Sequence, residues 1–569
     1  MKTMRKQRTR WILVSVLAIA LWGCADLSVE NLNEPDTRRV LATPEDVKNI
    51  LAGGFLSWWQ GNQGYPGFGP AMITMADQTT SSWGNFSMRD VSSEPRGTLN
   101  NNSTYTYASS HLRPWQRLYA ALSTANDVLR RLDEGLVINN PQETHMVRTA
   151  AKLLQGLCLS SLGLFYDRAF IVDENMDIVD ENTGVVTLLE FPESSNYQDV
   201  IAAAVASLEE AAELARNMTV PFPSNYFNGL SDLDGQKVAQ LASTIAARTL
   251  MLGARSPEEN ARTDWNRVLS FAQQGLSGWD FAPEGDDDQW WDLIKSYMQR
   301  PGWAQADLEL VGMDPNLVPA LREWLATPLA ERTPAPFVQL LQTTSPADAR
   351  IPGLGGKTSY LVYERSSPFR ADRGTYHFSR WRYIKEGHLD FVGPMRYATE
   401  TENDLMIAEA LIRTGGNKAQ AAALINKTRV NKGGLPALTG SESDKELLEA
   451  LMYERRIEIG WTAAGIGFCD RRRFDHPGPA HYDNNPSKPG IFQHKPGTLR
   501  HWPVPGAELE VLQKAIYTFG GAAGEMKKAP DWNKDQELLA EWISFLRKEL
   551  NTFGAPVSVR EFKAMMNAQ

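Results

Sequence analysis

The sequence predicts a mainly α protein, built of tetratricopeptide-like helix pairs with a loop-rich ligand-binding region and a few short strands. Three observations predict it. Apolar residues fall three and four apart in successive stretches, small residues sit where paired helices would approach, and Trp, Gly, Asn and Pro gather in two long aperiodic segments. The 569 residues, 42% hydrophobic and 22% charged, suffice for a large core.

Residues 1–23 read as a signal peptide. Lys2, Arg5, Lys6, Arg8 and Arg10 precede the uncharged apolar run Trp11 to Trp22, which is short of the roughly 20 residues that cross a bilayer core. Leu21-Trp22-Gly23-Cys24 reads as a lipobox, so Cys24 is expected to carry a covalent lipid as the first mature residue; an ordinary signal peptide with Cys24 incidental is the alternative. No later run reaches spanning length, which leaves the lipid as the only membrane anchor. Net charge is −10, and −15 without the basic leader, which argues against nucleic acid as a partner. Cys158 and Cys469 lie in apolar stretches where buried free thiols are the plainer reading, with a disulfide left open.

Residues 24–43 form a polar tether into Thr43-Pro44-Glu45-Asp46, where Thr43 can cap a helix, Pro44 suits its first position and the acids suit its N-terminus. That helix is expected to run to about Phe55. Residues 60–110 lack a sustained period and are read as a long loop-rich segment. From Trp115 the apolar stripe of Leu118, Leu122, Ala125, Leu129 and Leu132 predicts a helix, stopped by Gly135 and Pro141, and Val147 to Phe165 define its partner. Tyr197–Ala215, Val238–Leu252 and Trp265–Ala272 continue the helical pairs of about 115–275. A second set at about 402–460 comprises Leu405–Ile412, Ala419–Arg429 and Leu447–Ile459. Ala202–Ala204, Ala246–Ala247 and Ala421–Ala423 are the expected close-packing points. Residues 276–400 read as a loop-rich insertion with short strands at Thr358–Tyr363 and Trp381–Tyr383. A main domain therefore spans 44–512, and 513–569 form a C-terminal extension with a late helix at Asp535–Leu550.

Catalytic and metal motifs are weak. Gly355-Gly356-Lys357-Thr358 ends like a phosphate-binding loop but runs into a strand-like Ser-Tyr-Leu-Val-Tyr where a helix is required. No histidine pair has metal-ligand spacing, Gly285-Asp286-Asp287-Asp288 lacks the calcium-loop register, and no GxSxG elbow is present. The seventeen tryptophans say more. Trp58-Trp59, Trp83, Trp290-Trp291 and Trp303 lie outside the helical stripes, near Tyr65, Phe68, Tyr105 and Tyr107. Flat faces on loops suit sugar rings, with a neighbouring Asn for the hydroxyls, as in Trp83-Gly84-Asn85. Trp83, Asn85, Trp290, Trp291, Trp303 and Tyr65 are thus the candidate ligand-binding residues, although a core anchor is the commoner role for any one of them.

Several segments together resemble the SusD/RagB family of nutrient-binding outer-membrane lipoproteins. Cys24-Ala-Asp-Leu-Ser-Val-Glu-Asn-Leu-Asn-Glu-Pro is similar to the family's lipidated opening, and Trp115-Gln-Arg-Leu-Tyr-Ala-Ala-Leu-Ser-Thr-Ala-Asn126 resembles its W…Y…AN helix. Gly163-Leu-Phe-Tyr-Asp-Arg168, Leu405-Met-Ile-Ala-Glu-Ala410, Leu424-Ile-Asn-Lys-Thr-Arg429, Tyr453-Glu-Arg-Arg-Ile-Glu458, Asp470-Arg-Arg-Arg473 and Trp502-Pro-Val-Pro505 follow in the family's order, covering Cys24 to about Leu512. The resemblance implies a SusD-like α superhelical scaffold that binds rather than catalyses. It further implies a cell-surface position in the outer membrane, a SusC-like TonB-dependent barrel transporter as partner, and a glycan or, alternatively, a peptide as ligand. Glu454, Arg455, Arg456 and Asp470 are expected to form an ion-pair and capping network. A surface glycan hydrolase remains the alternative from another class, motivated by acids near the aromatic loops.

Overall fold

The structure, a computed structural model, describes residues 43–81, 83–93, 96–176, 191–328, 331, 337–365, 379–385, 387, 390–474, 494–495 and 497–521. The signal peptide, Cys24, the tether before residue 43 and the late helix at 535–550 lie outside the described residues.

The helices are α1 (Pro44–Asn62), α2 (Gly69–Met75), α3 (Met88–Ser92), α4 (Ser109–Asp133), α5 (Pro141–Phe165), α6 (Tyr197–Arg216), α7 (Gly235–Leu252), α8 (Pro257–Arg262) and α9 (Trp265–Ala272). After them come α10 (Leu293–Ser296), α11 (Leu308–Val311), α12 (Val318–Ala326) and α13 (Phe337–Leu340), and then α14 (Glu400–Arg413), α15 (Lys418–Arg429), α16 (Asp444–Glu458), α17 (Ile466–Phe474) and α18 (Gly506–Val511). The fold is mainly helical, as the periodicity predicts.

Local sequence sets the starts well. Thr43 Oγ1 accepts from the Asp46 N–H at 3.2 Å with Pro44 in the first turn of α1, and Asn140 Oδ1 accepts from the Glu143 N–H at 2.9 Å ahead of Pro141. The end of α1 is a correction: it passes Phe55 and continues to Asn62. Gly54 is an approach point rather than a stop, since a Cβ there would stand 2.7 Å from Leu154 Cδ2. The buried Trp58 and Trp59 extend the packed face beyond it.

Each long helix packs on the next. α1 lies on α4, α4 on α5, α5 on α6, α6 on α7, α7 on α9, α9 on α14, and α14 on both α15 and α16. The tightest approach between α5 and α6 is at Gly156, where a Cβ would stand 2.6 Å from Leu208 Cγ. Of the expected alanine points, Ala204, Ala246, Ala247, Ala421 and Ala422 are buried, whereas Ala202 and Ala423 are exposed. One apolar cluster runs from Val47 to Ile516.

Among the described residues the aperiodic segments hold three short antiparallel ladders. β1 (Thr79–Thr80) pairs with β3 (Gln305–Ala306), β2 (Glu284–Asp286) with β6 (Val392–Pro394), and β4 (Leu361–Tyr363) with β5 (Trp381–Tyr383). The two strands expected from alternation are thus partners, with Leu361 opposite Tyr383. Residues 60–110 hold more helix than their composition suggests, in α2 and α3.

Around α16 and α17 the interior is charged. Arg455 Nε meets Asp470 at 2.8 Å, Arg350 meets Glu454 at 2.7 Å, and Arg473 meets Glu409 at 2.6 Å and Asp470 at 2.8 Å. Arg456 donates to Gln78 Oε1 at 2.8 Å and to the Asp77 carbonyl at 2.7 Å, tying α16 to the segment after α2. Burial by itself would raise the Glu409 carboxyl, but Arg473 and Arg413 hold it down at about 2. Glu458 likewise sits at about 2, because Lys385, Lys432 and Arg350 outweigh its burial. Cys158 and Cys469 are both free and buried, and burial pushes both thiols up.

Candidate ligand-binding face

Phe86 and Ser87 adopt left-handed backbone angles, with φ of 57° and 61°, between β1 and α3. Such a conformation costs a non-glycine residue of order 1–3 kcal/mol and persists only where the surroundings over-determine it. The surroundings here are aromatic: the buried Phe86 ring packs 5.7 Å from Tyr65 and 5.3 Å from Tyr297. Trp83 and Asn85, just before the turn, are left half-buried.

Trp83 stacks on Trp303, centroids 5.1 Å apart and planes 27° from parallel, and its indole Nε1 donates to the Gly302 carbonyl at 3.1 Å. Trp303 is half-buried too and rests 4.8 Å from Tyr297. The Asn85 amide donates to the Tyr297 hydroxyl. Gly84 lets Tyr107 come close between them, since a Cβ would stand 2.8 Å from the Tyr107 hydroxyl oxygen and displace it. Tyr107 meets Tyr105 edge-on at 5.6 Å, and the Tyr105 hydroxyl donates to Asp90 on α3. Burial pushes the Tyr105 phenol up, and the Asp90 carboxylate pushes it further, so this hydroxyl keeps its proton across the physiological range.

The structure therefore brings three candidates, Trp83, Asn85 and Trp303, to one face. Tyr65 is half-buried behind Phe86 and stacks on Trp291 at 6.5 Å and 13°. Trp290 and Trp291 are the correction. Trp291 is fully buried, with its carbonyl accepting from Trp59 Nε1 at 2.9 Å, and Trp290 is 6% exposed against the Trp59 ring at 5.5 Å. Both are core anchors. The reason lies in the acidic turn before them, where Asp286 Oδ1 accepts from the N–H groups of Asp288, Gln289 and Trp290, each at 2.9 Å. That turn folds the chain inward, and the carboxylate once considered for calcium is spent on backbone. Trp58-Trp59, expected on a loop, belong to α1 and are buried.

Tyr297 is the residue that sequence reading misses. It follows the four-residue α10 in a stretch without period, and no residue type beside it marks it as facing Asn85. Chemically, the face offers the outer parts of two half-buried indoles stacked on one another, with the Asn85 amide beside them. C–H groups of a sugar ring pack on such planes while hydroxyls bond the polar groups. Among the described residues no group of three or more His, Cys, Asp or Glu is placed to hold a metal, and no helix is long and apolar enough to cross a membrane.

No protein-family model matches the chain, and no curated protein matches it in sequence. Solved structures do match it in fold. A SusD homolog from Bacteroides thetaiotaomicron is similar with a TM-score of 0.53 at 13% identity, over 86% of this chain and 98% of the other. A SusD superfamily protein from Bacteroides vulgatus gives 0.51 at 16% identity, over 82% and 96%. Surface glycan-binding protein A from Bacteroides uniformis gives 0.50 at 14% identity, over 82% and 98%. The chain has the SusD-like fold.

Proposed function

We propose that this protein is a surface lipoprotein that captures an oligosaccharide or polysaccharide on the Trp83–Trp303 face and delivers it to a SusC-like TonB-dependent outer-membrane transporter. The observation that carries the reading is the half-buried Trp83–Trp303 stack with Asn85 beside it. Two indoles held by neighbours before any ligand arrives lose little freedom on binding, which is how a small platform gains affinity. The SusD-like fold and a neighbour described as a surface glycan-binding protein support the glycan class. The basic leader and the lipobox at Cys24 support anchoring to the outer membrane through the lipid. In this reading the body spans 44–512, its helical face meets the transporter, and the protein binds without catalysing.

The test is a glycan array probed with the mature protein, joined to isolation of the native complex and mass spectrometry of what it holds. Trp83→Ala is expected to cost about 1–3 kcal/mol of affinity, the range for aromatic stacking on planar ligands, with folding intact. Binding to peptide pools in competition with glycans would transfer the platform to the peptide reading. Release of new reducing ends from a bound glycan would make the protein a hydrolase. A chain that binds no glycan and co-purifies with no barrel protein defeats the proposal.

A further inference from the structure

Beside the aromatic face lies a cavity of about 310 Å³, lined by α3, the segment that follows it, Met75 of α2 and residues 497–499. Its size is at the lower end of the roughly 300–1,000 Å³ of small-molecule sites, which suits one ring better than a chain of them. Val91, Leu99 and Leu499 make an apolar floor, each under one tenth exposed. Asp90, Thr98 and Asn100 stand on the exposed rim. The Asn100 Oδ1 accepts from the Asn102 N–H at 3.1 Å and from the Asn102 amide at 2.9 Å.

The cavity and the aromatic face share a wall. Tyr105 lines the cavity and bonds Asp90, Tyr105 packs on Tyr107, and Tyr107 touches Gly84 between Trp83 and Asn85. The Arg89 N–H donates to the Trp83 carbonyl at 3.0 Å, so α3 is fixed to the platform at one end and presents Asp90 and Val91 to the cavity at the other. The charges at this site are paired: the Arg96 guanidinium is occupied by Asp77 at 2.8 Å and Thr498 Oγ1 at 3.1 Å, and the Asp90 carboxylate on the exposed rim accepts from Tyr105 and lies 3.6 Å from Arg89 Nε.

We infer that the ligand is branched: its backbone lies on Trp83 and Trp303 while a single branch sugar enters this side cavity. The inference rests on the glycan reading above. The apolar floor receives one face of the branch ring, and Asp90 and Asn100 take its hydroxyls.

The experiment is isothermal titration of the mature chain with matched pairs of manno-, xylo- and β-gluco-oligosaccharides, each linear or carrying one galactosyl, arabinosyl or xylosyl branch. The branched member is expected to bind about tenfold tighter, the ratio that corresponds to about 1.4 kcal/mol. Gly97→Phe plugs the cavity from an exposed position with nothing within 4 Å of its Cβ, and should erase that preference without changing linear affinity. Trp83→Ala should weaken both members of a pair alike. Equal binding of linear and branched members, with Trp83→Ala still weakening both, overturns the cavity and leaves the platform. A branch preference lost in Gly97→Phe but indifferent to Trp83→Ala supports the cavity and removes the platform. A chain that binds none of the pairs overturns both.

Discussion

The two ends of the helix succession are held by opposite means. From α4 to α7 the interfaces are mainly apolar, crossed by a few polar bonds such as Gln155 to Asn126 and Ser207, and α5 comes close to α6 at glycines, with Gly156 against Leu208 and Gly163 against Ile201. Around α16 and α17 the interior holds Arg455, Arg456, Arg471, Arg472 and Arg473, all at or below 2% exposure, with Glu454, Glu458 and Asp470 among them. An apolar contact tolerates small shifts, whereas a buried charge is offset only by a partner at hydrogen-bond distance. The charged end therefore specifies where distant segments must lie. Arg350, Glu409, Gln78 and Glu309 are drawn to it from four separate stretches of chain.

The contrast can be broken in order of effect. Arg473→Met strands Glu409 in the core with Arg413 as its remaining partner at 2.9 Å. It is expected to cost about 3–5 kcal/mol in urea unfolding, at the top of the range of about 2–5 kcal/mol expected for Leu208→Ala at the apolar end. If Leu208→Ala costs clearly more, the charged end is not the better-specified one.

Acid comes next. The carboxyls of Glu409 and Glu458 fall from the usual 4.5 to about 2 in the folded chain, so their contribution is complete above pH 4.5 and is lost as pH drops through 2. Each shift corresponds to something on the order of 3 kcal/mol. Asp307 and Glu454 work against it, because burial raises both and they gain from protonation. Thermal denaturation should thus show a falling Tm between pH 4.5 and 2, and Glu409→Gln should flatten that fall. A Gln variant with the same slope as the parent would assign the acid sensitivity elsewhere.

Two glycine substitutions are smaller and of opposite sign. Gly156→Val overpacks the α5–α6 contact, where the added atom stands 2.6 Å from Leu208 Cγ and 3.1 Å from Leu208 N, and should cost about 1–3 kcal/mol. Gly53→Ala, exposed in α1 with nothing within 4 Å, should stabilise by about 0.5–1 kcal/mol. Calorimetry of the pair separates crowding from backbone freedom.

That pair also explains what the sequence could and could not reveal. Glycine weakens a helix locally, yet α1 runs through Gly53-Gly54 to Asn62, and Gly54 stands against Leu154, a residue far away in sequence. Helix starts were legible because a cap is local: Thr43-Pro44 and Asn140-Pro141 carry their own signal. The acid and base types of the charged end were legible in Glu454, Arg455, Arg456 and Asp470. Their partners Arg350, Glu409 and Gln78 were not, since nothing local marks an arginine as buried. At the candidate site Trp83, Asn85 and Trp303 converge, while Trp290 and Trp291 turn inward. Loops have no period, so the direction of a loop side chain is set by turn bonds such as those of Asp286.

The two buried thiols have a practical consequence. Thiol-reactive reagents attack thiolates, and Cys158 and Cys469 are enclosed with their protons held by burial. With three cysteines in the whole sequence, a form beginning after Cys24 is a chassis silent to maleimides. One cysteine placed at Gly97 would then carry a single fluorophore at the cavity mouth, turning the protein into an optical sensor for whatever enters it.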